Sequence, residues 1–458
     1  MDLHYNKEQK TTIFVAIITS FVTTFTGSAL NLAIPSIGQE MGASASLVGW
    51  IVTAYMLTVA ALSVPFGRIA DLTCRKRILV LGILIFSIGA LASAFAWNMW
   101  IIVISRVVQG AGGAMIFSTN IAILISAFPG KDRGKVLGYS IASTYVGLSA
   151  GPAVGGMLNH YLGWRAIFIV TGIIGLGILI MAAIYLPKKV FDGDKKNYDI
   201  LGNFYYIAMI VLTLYGFSDF SIDPVPITLV ATGIAMGVLF VIHELKENDP
   251  IIEVRIFRSN IAYSFSNLAA LLNYGATFAI GYLVSIYLQI IMGYGSQTAG
   301  IILIIQPLLM AILSPFAGKL SDTISPFKLA SFGMGLCAIG VFSFAFVAEN
   351  TPIWVTLIIL AVGGVGFAFF SSPNTNAVMA CVEKKDYGVA SSILATMRSM
   401  GHTSSMVIVT LIVGKYMGNS ALADADPHIL INIMHTSFLI FGAICAIGVF
   451  ISLKRKNH

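Results

Sequence analysis

Charge is scarce in this chain, and its distribution is more informative than its total. Asp, Glu, Lys and Arg make up 10% of 458 residues, whereas soluble domains carry about 25%. Hydrophobic residues make up 57%, and the mean hydropathy is +0.88. So little polar surface cannot enclose so much apolar surface in water, which excludes a soluble domain. Cysteine is also sparse. Cys74 falls between apolar runs, Cys337 and Cys445 within them and Cys381 at the end of one, so neither an extracellular disulfide nor a clustered metal site is expected. No G-x-x-x-x-G-K-[ST] loop, H-E-x-x-H or nucleophile–base set occurs, which argues against an ATP-driven pump and an intramembrane enzyme. No cofactor or metal is expected. No cleavable leader is expected either: the first apolar run continues into "NLAIPSIG" without a small-residue cleavage pattern.

What is present is a series of apolar runs long enough to cross roughly 30 Å of hydrocarbon. Fourteen are predicted, at 12–37, 47–68, 78–95, 99–127, 135–158, 165–186, 200–218, 225–243, 261–289, 297–318, 328–347, 352–380, 387–413 and 430–453. With the N-terminus inside, all but four of the 27 Lys and Arg fall on the cytoplasmic side; the exceptions are Arg106, Arg165, Arg398 and Lys415. This positive-inside pattern predicts a multi-pass plasma-membrane protein with both termini cytoplasmic. The net charge of +7 is accordingly a topology signal and no argument for nucleic acid.

Two segments recur. "SVPFGRIADL" (63–72) returns as "SPFAGKLSDT" (314–323), and "STNIAILISAFPGKDRGKVLG" (118–138) is echoed by "NTNAVMACVEKKDYGVASS" (374–392). Asp71 and Asp322 are separated by 251 residues, Asp132 and Asp386 by 254. The spacing predicts an all-α integral membrane protein of 14 transmembrane helices: two pseudo-symmetric six-helix bundles, at 1–190 and 255–458, with two inserted helices at 191–254.

Four stretches resemble motifs of the major facilitator superfamily, and specifically its fourteen-span drug:proton antiporter branch. "GRIADLTCRKRIL" (67–79) resembles the loop between spans two and three, with Gly67, Asp71, Arg75 and Arg77 in place. "ISRVVQGAGGAM" (104–115) is similar to the span-four motif with its buried arginine, here Arg106. "GLSAGPAVGGML" (147–158) resembles the span-five antiporter motif, through Gly147, Gly151, Pro152, Gly155 and Gly156. "DPIIEVRIFRSN" (249–260) is similar to the linker before the second half. The resemblance covers nearly the whole chain. It implies a secondary transporter of the multidrug efflux type that works by alternating access, as a monomer, on small amphipathic substrates in a lipid bilayer, with protons as the family's coupling ion.

The motifs also carry physical readings. Gly67 permits close backbone approach and Asp71 can face a helix N-terminus, so their loop and its copy at Gly318 and Asp322 are candidate gating elements. The four glycines of the fifth span form a small-residue packing face, where Pro152 removes a helix hydrogen bond. No carboxylate is placed inside a span, and Thr26 stands where related antiporters carry an acid. That absence points away from proton exchange through a carboxylate.

Positive and neutral groups remain inside. Arg398 lies about 15 Å along its helix from the cytoplasmic end, and His402, four residues on, shares its face. A mid-membrane arginine costs roughly 2.5–3.5 kcal/mol on insertion scales, so it is expected to face water or polar partners. Two readings stay open: Arg106 and Arg398 are charge partners for substrate, or they are structural, with Arg398 bonding groups such as Asn374 and Asn376. Thr26, Asn31, Asn120, Asn267, Asn273, Tyr274, Gln289 and Gln306 are further cavity candidates. Anionic or zwitterionic substrates suit this charge pattern. A proton-coupled antiporter of cationic or neutral drugs is the alternative, and a non-transporting membrane sensor the alternative of another class.

Overall fold

A computed structural model describes residues 5–128, 133–186, 198–218, 224–252, 254–321, 323–382, 387–418 and 426–455. The described residues are overwhelmingly helical, as hydrocarbon demands of a chain whose backbone groups must be satisfied internally. In order, the helices are α1 (Lys7–Met41), α2 (Ala45–Leu72), α3 (Arg75–Ala94), α4 (Met99–Ala127), α5 (Arg133–Leu162), α6 (Arg165–Tyr185), α7 (Ile200–Ser218) and α8 (Pro224–Glu244). After a short α9 (Arg255–Ser259) come α10 (Ile261–Thr277), α11 (Ile280–Ile286) with a π-helical turn at Tyr287–Ile291, α12 (Ser296–Leu303), α13 (Ile305–Leu320), α14 (Pro326–Phe344), α15 (Ile353–Ala380), α16 (Tyr387–Met417) and α17 (Pro427–Leu453). Among the described residues, eleven helical stretches are long and apolar enough to cross a membrane. A shorter apolar helix covers Ile200–Gly216, and the long α5 and α16 are richer in Gly, Ser and Thr.

Helix ends extend past the apolar runs where polar residues cap them. α1 begins at Lys7 instead of 12 because Asn6 and Gln9 form a reciprocal capping box, and it ends at Gly42, whose φ of 56° suits glycine. Two expected spans are interrupted. The run 261–289 breaks after Thr277, and the run 297–318 is divided at Ile304.

Helices α1–α6 pack on one another, α10–α17 do likewise, and α7 pairs with α8 while also touching α2 and α16. The sequence repeat has a geometric counterpart. A Cβ at Gly112 of α4 would lie 2.6 Å from the Gly82 carbonyl of α3; a Cβ at Gly366 of α15 would lie 2.9 Å from the Gly333 carbonyl of α14. Likewise Gly67 of α2 sits against Ser118 of α4, and Gly318 of α13 against Ser372 of α15.

Contacts between the early and late helices join α5 to α12 and α13, α2 to α16, and α1 to α11. Ser285 Oγ donates to the Asn31 carbonyl at 2.9 Å, Ser296 Oγ to the Gly156 carbonyl at 3.2 Å, and Thr53 and Thr410 hydroxyls are 3.3 Å apart. These bonds lie toward the helix ends remote from the termini. The terminus-bearing ends are tied separately: Lys7 lies over the Tyr185 ring, Arg68 donates to the Asp249 carbonyl, and Arg455 reaches Asn374.

Candidate functional site

The break between α10 and α11 marks the candidate site. Thr277 closes α10, and the Ala279 N–H at the break is taken up by Ser405 Oγ of α16 at 3.1 Å. Irregular backbone inside a membrane persists where protein or a water-lined cavity satisfies it, and broken helices recur at transporter binding sites. One turn before Ser405, His402 stacks on Phe278 with ring centres 4.2 Å apart and meets Tyr274 edge-on at 5.2 Å. Tyr274 also meets Phe367 edge-on at 5.1 Å. Three helices thus build an aromatic wall beside Arg398.

Arg398 is held lightly. One terminal nitrogen donates to Thr375 Oγ1 at 2.7 Å, the guanidinium lies 5.4 Å from the Tyr274 ring centre, and Nε has no hydrogen-bond partner. The expected structural partners are not used: Asn374 is taken by Arg455 and Ser266, and Asn376 donates to Ser321. Thr375, which donates onward to the Ser371 carbonyl at 2.8 Å, replaces them. Ser371 Oγ accepts from Tyr145 of α5 at 2.9 Å and pairs with Tyr274 at 3.0 Å. This polar cluster therefore crosses from an early helix to the late ones. Arg398, Thr375, Phe278 and His402 are all partly exposed.

Arg106 has a different environment. It is fully buried between α2 and α4, where Nε donates to the Ile51 carbonyl at 3.0 Å, one terminal nitrogen bonds Gln109, and the guanidinium lies 4.3 Å from the Tyr55 ring centre. It shares none of these partners with Arg398.

The other candidates separate by neighbour. Thr26 donates to the Val22 carbonyl and to Thr171 of α6, and Asn120 of α4 donates to Ser20 and the Ala16 carbonyl of α1; both sit inside the early-helix packing. Asn31 belongs to the α1–α11 contact, Gln289 bonds Ser285, and Asn267 donates to the Tyr263 carbonyl. Gln306 packs against Gly364. Asn273 is completely buried, with no hydrogen-bond partner on either side-chain polar atom. Between α1 and α5 an open apolar recess of about 380 Å³ is lined by Ile17, Ile18, Phe21, Tyr139, Ser143 and Val146.

The fifth-span motif works in two directions. A Cβ at Gly151 would meet Ser28, one at Gly155 would lie 2.7 Å from Ala29 Cα, and one at Gly147 would lie 2.6 Å from the Phe21 carbonyl, all on α1. Gly156 faces Ser296, and the Pro152 carbonyl touches Gly300, both on α12. Of the gating residues, Arg75 is half-buried and Arg77 exposed. The Asp71 side chain and Asp322 lie outside the described residues.

Sequence reasoning missed two groups. Arg455, counted among the cytoplasmic charges, is buried; it donates to Asn374 Oδ1 at 2.7 Å and Ser266 Oγ at 3.2 Å and also bonds Ser452. Burial pushes its pKa down to about 10, which leaves it charged at neutral pH. Glu244 was placed at a cytoplasmic edge, yet α8 continues through it and buries its carboxylate. Terminal position hid the first, and neighbouring charges the second.

Comparison with known proteins adds the family. A family model described as Major Facilitator Superfamily matches residues 16–245 and 266–458. The riboflavin transporter RibZ of Clostridioides difficile is 26% identical over 447 residues, covering 98% of this chain and 97% of that protein. The multidrug resistance protein Stp of Mycobacterium tuberculosis is 24% identical over 429 residues, 93% of this chain and 79% of that one. Among solved structures, a bacterial homologue of the human lysosomal transporter Spinster, inward-facing and unoccupied, superposes with a TM-score of 0.71 at 14% identity over 99% of both chains.

Proposed function

The chain belongs to the major facilitator superfamily and is a membrane transporter, not an enzyme; from that premise we propose that it exports amphipathic small molecules by alternating access, favouring anionic or zwitterionic ones. The carrying observation is Arg398. Its side chain is partly exposed and makes one hydrogen bond, to Thr375, beside Tyr274, Phe278 and His402. A guanidinium offers paired donors to a carboxylate or phosphate, and the rings offer faces to a conjugated body. The similarity to a riboflavin transporter and to a multidrug resistance protein supports flat, conjugated amphiphiles as the substrate class.

Helices α1–α8, α10 with α11, α12 with α13, and α14–α17 support the fourteen-span reading, with α7 and α8 as the inserted pair. The doubled glycine crossings support two pseudo-symmetric bundles as the rocking bodies. In this arrangement the bundles meet toward the ends remote from the termini, through Asn31, Gly156 and Gly300. Separating there and closing at the opposite end is the alternating step, with the Gly67 and Gly318 crossings as its gating hinges. An anion leaving a negative-inside cell gains about 2.3 kcal/mol per charge per 100 mV, enough to drive export without a proton.

The test is efflux from proteoliposomes of matched anionic, neutral and cationic conjugated amphiphiles, with voltage and pH gradient imposed separately. Anion flux is expected to follow voltage and to fall about tenfold in Arg398→Gln, a difference of roughly 1.4 kcal/mol. Cation flux that follows the pH gradient and survives the substitution would establish a drug:proton antiporter instead. No flux of any probe would favour a membrane sensor.

A further inference from the structure

The inserted helices carry chemistry that the transport cycle does not use. Asp199 caps the start of α7, accepting the Gly202 N–H at 2.8 Å. The last turn of α8 brings His243 to it, with Nε2 at 2.9 Å from both Asp199 oxygens and 3.9 Å from Glu247 Oε2. One ligand atom from each of Asp199, His243 and Glu247 lies within 4.8 Å of the others. Helix capping and an ion pair account for that much.

They do not account for Glu244. Its side chain is 1% exposed, Oε2 accepts the Ile252 N–H at 2.9 Å, and Oε1 has no partner. Oε1 points into the same cluster: a Cβ at Gly202 would sit 2.6 Å from it and would strike Asp199 Oδ2. A buried carboxylate oxygen aimed at a second carboxylate is costly unless a cation or proton lies between them.

We propose that Asp199, His243, Glu244 and Glu247 form a binding site for a first-row divalent metal ion, of the Zn²⁺ or Mn²⁺ kind, at the base of the α7–α8 hairpin. One imidazole and three carboxylates suit these ions, and the absence of thiolate disfavours softer ones. Tetrahedral bonds of about 2.1 Å place ligand atoms roughly 3.4 Å apart; Asp199, His243 and Glu247 already lie within 4.8 Å of one another, and Glu244 would have to turn toward them. The ion occupies the space that Gly202 leaves free and gives Glu244 Oε1 its missing partner. The sequence suggested no metal site because its ligands lie 44 residues apart across the hairpin. The consequence is local: the ion clamps the hairpin to the segment Asp249–Ile252, which Arg68 of α2 also holds.

The experiment is calorimetric titration of the detergent-solubilised full chain, freed of any affinity tag and stripped with chelator, using Zn²⁺, Mn²⁺, Mg²⁺ and Ca²⁺. Zn²⁺ or Mn²⁺ is expected to bind once per chain, and at least tenfold more weakly in both His243→Gln and Glu247→Gln. Glu247 is the more exposed of the two, so its variant keeps the test free of misfolding. Thermal midpoints without metal, compared with wild type, identify any variant that does not fold. Absence of binding in wild type, or binding unchanged in folded variants, overturns the proposal. So does a site that takes up a proton on acidification but no metal, because the Glu244–Asp199 pair then shares a proton.

Discussion

Arg106 and Arg398 look alike in sequence: each is a lone arginine in an apolar helix with no acid nearby. Their surroundings separate them. Arg106 is enclosed by a carbonyl, an amide side chain and a ring, all from α2 and α4. Arg398 has one hydroxyl, one ring and a partly open side. A membrane arginine is costly wherever it sits, but the cost is offset differently. Both keep one buried nitrogen without a partner, but Arg106 is closed inside the α2–α4 contact, whereas the Arg398 side chain is partly exposed. Buried cost and unfilled hydrogen-bonding capacity are therefore poor guides to function, since both arginines share them; exposure of the side chain is what separates the two.

The largest expected effect breaks this comparison at the wall. Arg106→Met takes the donor from Gln109 Oε1 and one of the two donors from the Ile51 carbonyl in a fully buried contact. Leaving a buried neutral acceptor without its donor, together with the lost packing, costs about 2 kcal/mol. Yield and thermal midpoint should fall, with residual transport of all substrates reduced alike. A stable protein with selective loss of anion flux would mean that Arg106, too, faces substrate.

Next in size is the same neutralisation at the open site. Arg398→Gln should leave the thermal midpoint within a degree or two of wild type while anion flux drops about tenfold. The pair of variants thus forms a crossed test, stability against selectivity. If both residues lose stability equally, the difference in their packing has no functional content.

How far was this legible beforehand? The helical membrane fold was readable because long apolar runs leave a trace in any window, whereas the paired glycine crossings of Gly82 with Gly112 and Gly333 with Gly366 came only from the structure. The aromatic wall was not readable. Phe278 and Phe367 are two of 29 phenylalanines in an apolar chain, and nothing in their spacing marks the contacts of Phe278 with His402 or Phe367 with Tyr274. Thr26 and Asn120 were sensible cavity candidates by polarity alone. In the structure they are bonded to Thr171, Ser20 and the Ala16 carbonyl, partners that polarity alone does not indicate. Arg455 misled because a terminal basic cluster reads as solvated unless a helix end folds it inward. The signal available for it was Asn374, a buried amide that needed a partner.

The smallest effect asks whether the open arginine is coupled to the rocking of the two helix groups. Tyr145 of α5 donates to Ser371, which lies one turn before Thr375, the anchor of Arg398. Ser371 also pairs with Tyr274, so Tyr145→Phe leaves that serine a partner and should cost only about 1 kcal/mol. Its bond joins an early helix to a late one, so under the proposed alternating access losing it shifts the conformational balance without touching Arg398 itself. Transport of every substrate should change by a few-fold together, with the anion preference intact. A change confined to anions would place Tyr145 among the groups that hold Arg398 in position, and the polar cluster would then belong wholly to the site and not to the hinge.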